Sequence, residues 1–243
     1  LATDQVNKLS SGAIAALTSS QVRALSSAQL NALTSTQLRA MKTADVAALS
    51  TAQVSQLSAA QVALLSTAQV VGLGTAQVRA LGTAQVAALT SAQLNAMATE
   101  DLQALSSAQV RALSSTQVSA LTTGQIVALS TAQVAALSNT QVASLTSAQL
   151  NAMASDDLKA LTTAQVKALT STQLGALTST QVALMETADI AALATDQVNK
   201  LSSGAIAALT TDQVKALTSA QFNALTSTQI QAFTSAQIPS WPL

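Results

Sequence analysis

Two acid pairs, Glu100–Asp101 and Asp156–Asp157, come closest in this chain to a metal-binding pattern. Calcium takes roughly six to eight oxygen ligands, and two adjacent carboxylates supply only part of such a set. Acids in the first turn of a helix also complement its dipole, which is the plainer reading of both pairs. Met41, Met97, Met153 and Met185 offer soft sulfur, but each stands where the surrounding pattern repeats Leu, so they read as core residues. Fifty Ser and Thr at two adjacent positions of a repeat form a hydroxyl array that ice, a glycan or an O-linked sugar could use. The same hydroxyls are what short helices need as caps. With no His and no Cys, imidazole and thiolate nucleophiles, zinc sites and disulfides are all excluded. No nucleophile has a base beside it, and no phosphate loop is present. The expectation is a protein that is not an enzyme, with no catalytic, cofactor-binding or metal residues and no cofactor.

These residues are positioned by one octad repeated thirty times without insertion from Leu1 to Ser240. With its positions lettered a to h from Leu1, the octad reads Leu, Ser/Thr, Ser/Thr, small, Gln, Val/Leu/Ile, variable, Ala. Position f is apolar in every copy from Val6 to Ile238, and a is Leu in twenty-five, with the four Met and Phe233 in the others. A fixed internal period of this kind decides the fold before any local signal does.

Ala, Leu and Gln favour helix, and no Pro occurs before Pro239. Apolar spacings of five and three fit a flat strand poorly, and seven Gly are few for the corners of a β-solenoid, the main competitor. One continuous helix also fails, because eight residues at 3.6 per turn rotate the apolar pair by roughly 80° per octad. The helix must therefore break once per octad. Position c, Ser or Thr in twenty-eight copies and Asn139 in another, suits an N-cap, and b with Gln at e fits a capping box, as in Ser130 and Gln133. Nine of ten acids lie at d or e and nine of ten bases at g or h, as the dipoles of separate short helices prefer.

A single octad cannot stand alone. Its two apolar side chains contribute on the order of 3–6 kcal/mol, against about 12 kcal/mol for ordering eight residues. Stacking must supply the rest. The expected fold is an all-α repeat solenoid of about thirty short capped helices, with a and f inward and b, c and g outward. Two octads per coil, as a helical hairpin, is the expected arrangement, with three as the alternative. Residues 1–238 form the solenoid, and 239–243, with Pro239, Trp241 and Pro242, form a tail or end cap. Gly72, Gly74 and Gly82 cluster where curvature could change.

Ten acids balance ten bases, so a long-range attraction to nucleic acid or an anionic membrane is absent. No apolar run approaches the roughly twenty residues that span a bilayer. The chain starts with Leu1 in full register, which reads as a processed product or a piece of something longer, and as an end prone to self-association or head-to-tail assembly.

The unit LTSAQVAAL, in the register L-[ST]-[ST]-x-[QD]-[VIL]-x-A over residues 1–238, resembles octapeptide tracts of very large bacterial extracellular proteins of the haem-utilization or adhesion class, secreted by type I systems. The resemblance implies a structural extension or filament-forming region at the bacterial cell surface or outside it. It transfers no haem site, since His, Cys and Tyr are all missing. The alternative is a binding module using the Ser/Thr face. The octad also resembles the first helix of TAL-effector DNA-binding repeats, but the second helix, the base-reading loop and the basic stripe of that family are missing.

Overall fold

A hydroxyl at b and an amide at e decide where most of the helices begin. The computed structural model describes residues 2–242. Within them a helix of four to six residues starts at position c of each octad from Thr3 to Ser227, twenty-nine in all, and no strand is present among the described residues. Position b is the N-cap. Ser130, extended at φ −72° and ψ 155°, accepts from the Gln133 amide at 3.3 Å, while Gln133 Oε1 accepts from the Ser130 N–H at 2.8 Å. The b–e capping box is therefore the working signal, and c is the first helical residue rather than the cap. Ser130→Ala should cost about 1 kcal/mol, the usual worth of an N-cap hydroxyl, read as a lowered denaturation midpoint.

The helices end without a left-handed cap: no described residue has positive φ, the glycines included. Instead the chain passes straight into two extended residues, such as Leu113 (φ −62°, ψ 140°) and Ser114 (φ −72°, ψ 159°). Helices this short are not stable alone, and their last carbonyls need partners from elsewhere.

Those partners come from the next coil. The described residues fall into two compact units, Leu1–Leu121 and Thr122–Leu243. In the first, Thr51–Gln56 lies between Ser27–Asn31 and Thr75–Ala80; in the second, Thr163–Lys167 lies between Asn139–Ser144 and Thr187–Ala192. Each helix thus stacks on the helix three octads away, and a coil is twenty-four residues, not the sixteen of the expected hairpin. Two extended residues turn a corner but do not reverse the chain, and three such corners close a coil.

Within each unit the a and f side chains fill the interior, and Val54 and Val134 have no exposed surface at all. Positions b and c face solvent, as does g in most octads. The inward set is larger than expected, because from Gln37 onward Gln at e is buried too. The octad pattern relaxes at its last copy: Ile238 is 48% exposed, in a 3-10 turn Ile238–Ser240. Trp241 fills the next a slot and packs on Phe222 and Phe233, with ring centroids 5.1 and 5.7 Å away. No described helix is long and apolar enough to cross a membrane.

Candidate functional site

The feature repeated most regularly is the joint that Gln at e makes between coils. Gln165 shows all of it. Its Oε1 accepts from the Thr162 N–H at 2.7 Å and the Thr162 hydroxyl at 3.0 Å, while its own N–H donates to Thr162 Oγ1 at 3.3 Å. Its Nε2 then reaches down one coil to the carbonyls of Val134 (3.3 Å), Ala135 (3.3 Å) and Leu137 (2.7 Å). One buried carboxamide closes the start of its own helix and the open end of an earlier one. Gln53, Gln77, Gln109, Gln213 and Gln237 repeat the pattern on residues 31, 30 and 28 positions earlier. Because a buried backbone carbonyl without a donor is costly, these joints lock coil to coil as well as capping helices. In the sequence, Gln at e reads as the capping-box partner of b. The sign that it was also buried was its presence in twenty-four octads at a position a capping box alone leaves open to other polar residues.

Four octads carry Asp at e: Asp45, Asp101, Asp157 and Asp189. Their helices have no side-chain N-cap bond, since b is Lys42, Ala98, Ala154 or Glu186. A carboxylate has no N–H to give, so the direction of the inter-coil bond reverses. The c hydroxyls of Ser19, Thr75 and Thr131 donate up to Asp45 (2.9 Å), Asp101 (3.1 Å) and Asp157 (3.1 Å). All four Asp are buried, and Asp45 Oδ2 and Asp189 Oδ1 have no partner. The acid pairs are therefore split: the e member turns inward while Glu100 and Asp156 face solvent. Among the described residues no three His, Cys, Asp or Glu gather as a metal-binding group.

Burial pushes the Asp101 carboxyl above its ordinary range; the Thr75 hydroxyl opposes the shift and the neighbouring Glu100 adds to it. The folded state then binds a proton more tightly than the unfolded state, so stability falls as pH rises from the unfolded pKa through the folded one. Asp101→Asn should therefore raise the Tm near neutral pH, and this advantage should shrink as pH is lowered below the ordinary carboxylate range. An advantage independent of pH would contradict the burial argument.

The remaining candidates fall into place around the joints. Met41, Met97 and Met153 are buried in the a slot, as expected, and Met185 is half-buried there. Arg23 and Arg39 at g are exposed helix-end charges, as expected. They also bond between coils: Arg23 Nε donates to the Ala48 carbonyl at 3.1 Å and Arg39 Nε to the Leu64 carbonyl at 3.3 Å, and Asn31 Nδ2 likewise reaches the Gln56 carbonyl at 2.9 Å. Each of these three g side chains ties its helix to the far end of the next coil's helix. Gly74 and Gly82 are N-caps, while a Cβ on Gly72 would lie 2.6 Å from the Thr43 Cγ2.

Comparison with known proteins places this arrangement in a family. No curated protein matches the chain. The ALTTAQ repeat is matched seven times, at residues 6–43, 38–75, 67–99, 94–131, 123–155, 150–185 and 182–219. Its six letters stand in full at Ala160–Gln165 and run from h through e of the octad, across the corner, the N-cap and the joint glutamine. The matches overlap or adjoin over most of the sequence, and the chain belongs to the ALTTAQ repeat family.

Proposed function

We propose that this tandem array is a structural extension or filament-forming region of a bacterial extracellular or surface protein, and that it performs no catalysis. The observation that carries the reading is the consumption of polar side chains by the fold. In an octad such as Ala160–Lys167, the hydroxyl at b and the amide at e are both spent on caps and coil joints. What the octad supplies is a stackable unit, and reach then scales with repeat number. Variants lengthened or shortened by three or six octads should change their maximum dimension in solution scattering by about 9–10 Å per coil, the spacing of packed helices. A particle whose maximum dimension does not follow repeat number would refute the extension. Light scattering over a concentration series addresses head-to-tail assembly, since a species fixed at 24.4 kDa would remove the filament from the reading.

A second reading, a binding module for ice or a glycan, is favoured by the exposed or half-exposed Ser and Thr at c, which recur in every octad but those of Ala59 and Asn139. Thermal hysteresis or a glycan-array signal from the isolated chain would rank it first.

A further inference from the structure

One helix of the unit Thr122–Leu243 has lost its glutamine joints at both ends. Ser155–Lys159 follows Ala154, an N-cap without a side-chain bond, and carries Asp157 in the joint position. Asp157 accepts from Thr131 but has no amide to hold the carbonyls 31 and 28 residues earlier. Asp189, four octads later, occupies the position from which a glutamine would reach the Leu158 and Leu161 carbonyls at the other end of the helix. It donates nothing, its Oδ1 is buried without a partner, and its own N-cap residue Glu186 makes no side-chain cap bond. The spacing matters: Asp157 and Asp189 stand at the one separation that strips both ends of the same helix.

Packing fails at the same place. A cavity of about 20 Å³ is lined by Leu158, Leu161, Val166, Leu169 and Met185 among others. Between Leu25 and Phe222, Leu158 and Met185 are the a and f residues that are not fully buried. Regions that open locally are those with few buried contacts and weakly held backbone bonds. The neighbouring helix Thr163–Lys167 is the contrast: Gln165 holds it to the coil below, and Gln197 donates to its Lys167 carbonyl and to Leu169 at 2.9 and 2.8 Å.

We propose that helix Ser155–Lys159 is a built-in yield point, at which this unit opens and recloses before its neighbours do. The use of such a point rests on the reading of the array as an extension: a chain under tension lengthens at one joint while the rest of the unit stays folded. The opening itself does not depend on that reading.

Amide hydrogen exchange on the full chain tests it. Leu158, Ala160 and Leu161 donate to Ala154, Asp156 and Leu158, and one octad later Val166, Ala168 and Leu169 donate to Thr162, Gln165 and Val166. The first set should exchange about tenfold or more faster than the second. Restoring the octads with Ala154→Ser, Asp157→Gln, Glu186→Thr and Asp189→Gln should slow the first set by about tenfold or more, as restored hydrogen bonds and caps would. The second set should change little. Equal protection in the native chain, which needs no variant to fold, would overturn the proposal, as would a restored chain with unchanged exchange. Failure of dimension to follow repeat number would remove the extension and leave this exchange difference standing, so the two failures are distinguishable.

Discussion

Val134→Asp should destabilise the unit Thr122–Leu243 by about 3–5 kcal/mol, the usual cost of an uncompensated buried charge. Val134 has no exposed surface, and its carbonyl is one end of the Gln165 joint. A carboxylate there has no cation within the apolar interior to pair with, and the Val packing against the next coil, where Thr131–Ala135 meets Ser155–Lys159, is lost as well. Ala164→Asp is the control. It adds the same charge at an exposed d position, where other octads already carry Asp, and should change stability by no more than about 0.5 kcal/mol. Denaturant titration of both variants checks the pair. A native midpoint for Val134→Asp would place f outside the core and overturn the packing.

Gln165→Glu should cost nearly as much, on the order of 3 kcal/mol near neutral pH. Gln165 is 2% exposed, and its Nε2 is the donor to three carbonyls of the coil below. Glutamate keeps the length and the capping acceptor but turns a buried donor into a charge facing carbonyl oxygens. The lost bonds and the orphaned acceptors account for about 1–3 kcal/mol, and desolvation of the carboxylate adds to that. The sign with pH follows. A buried glutamate in this position has its folded pKa raised, so the penalty is full above that pKa and shrinks as pH falls below the ordinary glutamate value. Gln165→Met removes the donor without adding charge and should show a smaller, pH-independent loss. Equal losses for Glu and Met at all pH values would mean that the amide acts only through its own helix cap, and the coil-to-coil joint would carry no weight.

The two variants probe features of different legibility. Burial of Val134 could be read from sequence because f is apolar in all thirty octads and no continuous helix or strand keeps a and f on one face. The helix breaks were legible for the same local reason. Ser130 and Gln133 lie three residues apart, so the capping box closes within one octad whatever surrounds it. What eight residues could not resolve was which of two adjacent hydroxyls caps. Ser130 and Thr131 are both good N-caps, and the choice of b follows from the reach of Gln back to the N-cap N–H.

Contacts made at long range were hidden by the repetition itself. Every octad offers the same amide, hydroxyl and carbonyls, so nothing in the chain says whether Gln165 should meet carbonyls sixteen or about thirty residues earlier. Stacking on the third octad settles it, and this fixes three octads per coil, the burial of e and the reach of Arg23 to Ala48 together. The Asp octads show the same division. Sequence placed Asp157 and Asp189 in helix first turns, which is where they are. Only the stacking decides that Asp157 faces the Thr131 hydroxyl, and that Asp189 takes the register from which glutamines elsewhere reach the far end of a helix, here Ser155–Lys159. The octad alone thus determined that this protein is built of short, capped, amphipathic helices, because those interactions close within eight residues. The tertiary structure decided how many helices make a coil and which polar groups lock coil to coil, because those bonds join chemically identical groups whose partner is chosen by position alone.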